Sequence, residues 1–166
     1  MRRSHRLFMG LAVLGALALL STVAVAHEPG RMTGGGSVFT ASGQRVTHGF
    51  TLHCASPEGA TAREPNRLQV NWPGHKFHLL TLTKAECSDE APEENPPEAG
   101  FETYEGGGTG RCDGKKGAVA TWIFRDHGEP GTNDLARIHI DCADGTQLRV
   151  FGNLKKGNHQ AHRATP

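Results

Sequence analysis

Residues 46–54 read Val46-Thr47-His48-Gly49-Phe50-Thr51-Leu52-His53-Cys54, and this stretch decides the fold class. Val46, His48, Phe50, Leu52 and Cys54 alternate with Thr47, Gly49, Thr51 and His53. That is the period of two of a half-buried strand, not the 3.6 of a helix. The same pattern recurs on moving outward. Leu68, Val70 and Trp72 repeat it, and Pro73-Gly74 turns the chain into Lys76 through Leu82. Ala118, Ala120, Trp122 and Phe124 alternate with Val119, Thr121 and Ile123; both faces are apolar, which predicts a central strand. Ala136, Ile138, Ile140 and Cys142 form another, and Asp144-Gly145 is a hairpin signal leading into Leu148 and Val150.

With Ser37 to Thr40 counted, the pattern predicts an all-β chain of about seven or eight short strands, as a single antiparallel β-sandwich or small barrel. An α+β fold would need a helical period, and 22 glycines and nine prolines punctuate the chain too often for long helices. Gly34-Gly35-Gly36-Ser37 and Gly106-Gly107-Gly108-Thr109-Gly110 lack the Gly-Lys-Ser/Thr ending of a phosphate loop; they read as turns and a mobile loop. Ser88 to Gly100, rich in Glu and Pro, reads as a solvated loop rather than a catalytic carboxylate pair.

The start of the chain reads as an export signal. Arg2, Arg3 and Arg6 form a positive segment, Leu7 through Leu20 an uncharged apolar run, and Ala24-Val25-Ala26 a small-residue cleavage site. The expected organisation is a signal peptide over 1–26, a flexible lead over 27–31, a β-domain over 32–162 and a tail over 163–166. The expected location is secreted, periplasmic or at the cell surface. Cleavage leaves 15 basic residues against 17 acidic ones, a net of −2 from a chain that is formally +1. That near-neutral balance, with no basic cluster, argues against nucleic acid or an anionic membrane as partner.

Cys54, Cys87, Cys112 and Cys142 are an even set, which in an exported chain points to two disulfides. Of the three pairings, Cys54 with Cys87 and Cys112 with Cys142 is preferred, because each then closes a loop of about 30 residues. No two cysteines have the close spacing of a zinc knuckle.

Several phrases stand out as a set. They are Met32-Thr33-Gly34-Gly35-Gly36, Thr47-His48-Gly49-Phe50 with Leu52-His53-Cys54, and Asn66-Arg67-Leu68-Gln69-Val70-Asn71-Trp72. Further on come Phe77-His78-Leu79, Gly128-Glu129-Pro130-Gly131 with Asp134, and Gly157-Asn158-His159-Gln160-Ala161-His162. Together they resemble a bacterial extracellular module, the post-choice-of-anchor domain, over roughly residues 32–162. The resemblance implies a β-rich secreted module and brings with it no activity, substrate or catalytic residue. Such modules are often appended to larger surface proteins, whereas this one is expected to stand alone behind its signal peptide.

Three groups of residues carry candidate chemistry. Nine of the ten histidines follow residue 26. His48, His53, His78, His159 and His162 could converge on zinc or copper, since neutral imidazole is a common ligand. The alternative is that buried histidines donate to backbone carbonyls and that His159 and His162 pin the tail. His27, exposed by cleavage at the mature N-terminus, could chelate copper through its amine and ring. Asp126, Glu129, Asn133 and Asp134 offer oxygen donors for calcium, or equally an Asp-rich turn held by its own side-chain bonds. No Gly-x-Ser-x-Gly elbow or unpaired thiol is present, and no catalytic residue is assigned.

The leading expectation is a secreted non-enzymatic module with a binding or structural role and no cofactor, its partner an extracellular protein or glycan. The alternative is a metal-binding extracytoplasmic protein holding zinc, copper or calcium: a copper carrier, or a copper-dependent oxidative enzyme built on His27.

Overall fold

The computed structural model describes residues 29–54, 65–89 and 99–163. The signal segment and His27 lie outside the described residues. The strands are β1 (Gly30–Phe39), β2 (Arg45–Cys54), β3 (Arg67–Trp72), β4 (His75–Ser88), β5 (Thr103–Cys112), β6 (Lys115–Arg125), β7 (Leu135–Asp141), β8 (Gln147–Asn153) and β9 (Lys156–Arg163). They form one antiparallel sheet in the order β8-β7-β6-β5-β4-β3-β2-β1-β9, curled into a half-barrel. The all-β antiparallel expectation is met. Among the described residues the strands number nine rather than seven or eight, and they belong to one continuous curled sheet.

Chain connectivity dictates the curl. β8 and β9 end the sheet on opposite sides, yet only Leu154 and Lys155 separate them. The peptide units across that gap reach about 10 Å, so the two ends of the sheet must approach one another. Lys155 donates its N–H to the Ser37 carbonyl at 2.8 Å, Leu154 donates to Asp134 O at 2.9 Å, and the Leu154 side chain is buried.

The glycine-rich segments correct the sequence reading. Gly106 to Gly110, expected to be a mobile loop, lie within β5 and pair with β4 and β6. A Cβ on Gly106 would sit 2.4 Å from the Trp122 ring, and one on Gly110 would sit 2.4 Å from Phe77. Glycine is there to clear large side chains lying over the strand, which is a packing demand and not a turn signal. Gly34 to Gly36, expected to be a turn, are likewise in mid-strand, paired with both β2 and β9. β1 begins at Gly30, inside the expected flexible lead, and β9 covers the supposed tail histidines.

The inner face carries the core: Met32, Val46, Leu52, Val70, Phe77, Tyr104, Trp122, Phe124, Ile138 and Ile140 are all buried. β6 is paired on both edges as expected of a central strand, but its outer face is open, with Val119 52% exposed. The Asp144-Gly145 signal gives the β7–β8 hairpin through a longer connection, closed by Cys142 N–H to Thr146 O at 2.8 Å. Both disulfides have the expected pairing. Cys54–Cys87 joins the ends of β2 and β4, and Cys112–Cys142 ties β5 to the end of β7 across β6.

Candidate functional site

Period two puts His48 on the inner face of β2, and β9 brings His159 to meet it. Their Nε2 atoms are 2.8 Å apart, and both residues are buried. The surroundings settle which ring donates. His159 Nδ1 lies 3.1 Å from the Arg125 carbonyl oxygen, which can only accept, so Nδ1 carries the proton. His159 Nε2 is then a lone pair, and His48 Nε2–H donates to it. That leaves His48 Nδ1 an unprotonated acceptor, buried and without a hydrogen-bond partner. His48 stacks on Phe50 and Phe124, with ring centroids 6.0 and 5.2 Å away. Burial holds both rings neutral. His48 falls to about 3, through desolvation and then the neighbouring His159; His159 falls to about 4, chiefly through desolvation.

The expected calcium loop is a seam. β9 is the last strand of the sheet, so its outward N–H groups have no strand to receive them. Asp134 Oδ2 accepts the His159 N–H at 2.6 Å, and Asp126 Oδ2 accepts the Ala161 N–H at 2.8 Å. The remaining oxygens close the loop: Asp134 Oδ1 accepts from His127 N–H and Asp126 Oδ1 from Gly128 N–H. Glu129 Oε1 accepts from the Asn158 amide at 2.8 Å, and the Asn133 carbonyl accepts from Asn153. Burial pushes Asp134 up to about 6, against the two amide donors that favour its ionised form. The two aspartates satisfy backbone donors along a sheet edge and in the loop beside it.

The remaining histidines disperse. His53 lies against Asn66, His162 Nε2 sits 2.8 Å from Thr33 Oγ1, and His78 is on the outer face. Among the described residues no three His, Cys, Asp or Glu side chains are grouped to hold a metal ion.

A different constellation occupies the outer face of β2 to β5, around a hollow of about 540 Å³. Its floor is Gly49, where an added Cβ would meet nothing within 4 Å. Thr47, Thr51, Gln69 and Asn71 surround it, and Arg67, His78 and Arg111 stand at its rim. Gly49, Gln69, His78 and Arg111 are successive partners across the four strands. Sequence reasoning missed this site because it followed the apolar positions. The signal was in the alternate ones: Arg67, Gln69 and Asn71 are the outward half of the period-two pattern of β3, and Gly49 is a mid-strand gap.

No family model, curated protein or solved structure matches this chain.

Proposed function

We propose that the chain is an exported, non-enzymatic binding module whose recognition surface is the outer hollow on β2 to β5. The observation that carries this is a contrast in how polar groups are used. Inside the sheet and along the seam, carboxylates and imidazoles are committed to backbone atoms or to each other. Around Gly49, Gln69 donates to Asn71 at 3.2 Å and Asn71 to Thr47 at 3.5 Å, but these exposed or half-buried groups keep further donors and acceptors towards open space, and Arg67 and Arg111 form no salt bridge among the described residues. Convergent polar groups around a concavity are the usual form of a ligand site. Two disulfides fit an oxidising, extracytoplasmic compartment, and no described helix is long and apolar enough to cross a membrane.

Membership of the post-choice-of-anchor type belongs to the same proposal. The phrases behind that resemblance fall on β1, on β2, β3 and β4, which build the hollow, and on the seam. The test is Gly49→Trp, which fills the hollow where a side chain has room. The exported chain, screened against neutral and acidic polysaccharides and purified envelope polymers, should bind at least one, and the variant should lose that binding with its melting temperature unchanged. Binding that survives the substitution, or no binding to any polymer, refutes the assignment.

A further inference from the structure

The sheet register lines up more than the hollow's walls. His78 of β4 is opposite Arg111 of β5, and Arg111 is opposite Lys116 of β6, all on the outer face. A bulge between Gly110 and Arg111 brings Lys116, rather than its strand neighbour, into that register. Directly opposed side chains on one face lie about 5 Å apart, and like charges there destabilise the sheet. Two other surface cations have acidic partners, Lys84 with Glu86 and Glu105 and Arg149 with Asp141. Arg111 and Lys116 have none among the described residues. Arg67 adds a further cation at the rim of the hollow, whose lining holds no carboxylate. This acid-free lining belongs to a chain whose exported form would have more acidic than basic residues. It cannot be seen in the linear sequence, where these cations are scattered from residue 67 to residue 116. A local rule broken without compensation within the fold is the mark of a functional surface.

Resting on the reading of the hollow as the recognition surface, we infer that this face binds an acidic polysaccharide, its carboxylate or sulfate groups seated along the His78–Arg111–Lys116 line. Arg67 on β3, Arg111 on β5 and Lys116 on β6 are spread over three strand spacings, about 14 Å, which suits anionic groups repeated along a polymer better than a single small anion. The neutral groups beside them, Thr47, Gln69 and Asn71, offer donors and acceptors that match sugar hydroxyls. Of the aromatic rings that line the hollow, Phe50 and His48 are buried and only His78 is part-exposed, which falls short of the row of exposed rings on which single-stranded nucleic acid stacks.

The experiment is binding of the full exported chain to polygalacturonate, with neutral dextran and duplex DNA as comparison polymers. Polygalacturonate should bind, more weakly as ionic strength rises, and dextran should not. Arg111→Gln and Lys116→Gln should each weaken binding by up to about five-fold, the scale of one exposed ion pair. Arg137→Gln makes the same charge change on the outer face of β7 and should leave affinity unaltered. Equal losses for Arg111→Gln and Arg137→Gln would mean a diffuse charge effect and overturn the inference, as would tighter binding to DNA. A neutral polymer that binds and is blocked by Gly49→Trp, with no binding of polygalacturonate, would overturn the anionic assignment alone. Polygalacturonate binding indifferent to Gly49→Trp and Arg111→Gln would remove both readings. Melting temperatures within a degree or two of wild type confirm that every variant folds.

Discussion

Replacing His159 and replacing His48 should have unequal consequences, although the two rings share one hydrogen bond. The native pair leaves one buried polar atom unpartnered, His48 Nδ1. His159→Phe removes the acceptor of His48 Nε2–H and the ring donor to the Arg125 carbonyl. Two more polar groups lose a partner, at about 1–3 kcal/mol each, for a total of roughly 2–6 kcal/mol. His48→Phe exchanges one unpartnered lone pair, His48 Nδ1, for another, His159 Nε2. A phenyl ring retains the stacks on Phe50 and Phe124, so the net cost should stay within about 1 kcal/mol. The double variant removes both members of the pair and should be more stable than His159→Phe alone, a coupling read from the mutant cycle. Urea unfolding at neutral pH, followed through the fluorescence of buried Trp122, measures all three. Destabilisation by His48→Phe equal to or greater than that by His159→Phe would refute the proton assignment.

The other predictions concern pH, the seam and the disulfides. Because their folded pKa values lie well below 6.5, His48 and His159 add stability that is complete above that pH and is lost as pH falls towards 4. Asp134, raised to about 6, acts in the opposite sense between pH 6 and its unfolded value near 3.8. Unfolding in that window therefore takes up about one net proton from these three groups, and stability should fall by about 1.4 kcal/mol per pH unit. His162, lowered first by burial and then by Arg31, adds in the direction of the buried pair. Denaturant melts from pH 7 to pH 4 measure the slope; a flat profile would contradict the buried, neutral pair. Asp134→Asn should steepen that slope and cost about 2–4 kcal/mol at neutral pH, since an amide offers one oxygen where two backbone N–H groups require acceptors. Amide exchange of His159 in this variant should speed up before that of β6. Removing Cys112–Cys142 or Cys54–Cys87 by paired Ala substitution should cost about 3–4 kcal/mol in each case in the chain-entropy model, read as a fall in melting temperature.

What the sequence reveals depends on which half of a periodic pattern carries side chains. β2, β3, β7 and β8 are legible because Val, Leu, Ile, Phe and Trp mark every second position. β5 is illegible for the opposite reason: Trp122 and Phe77 fill the space above Gly106 and Gly110, so the apolar signal sits on neighbouring strands. The disulfide pairing is legible because loop length favours it, and His48 is placed correctly on an inward face. Its meeting with His159 depends on the sheet returning upon itself, which local periodicity cannot encode. Likewise Asp126 and Asp134 look like cation ligands until β9 is found to be a bare edge. Arg111 is far from His78 in sequence but its direct neighbour in the sheet.

The central claim is that recognition takes place on the outer face of β2 to β5, and residue-resolved NMR tests it most directly. Titration of the isotope-labelled chain over residues 27–166 with polygalacturonate oligomers should shift the amides of Thr47, Gly49, Gln69, Asn71, His78 and Arg111. The amides of β7 and β8 should stay in place. Shifts centred on β7 and β8, shifts spread evenly over the sheet, or none at saturating oligomer would contradict it.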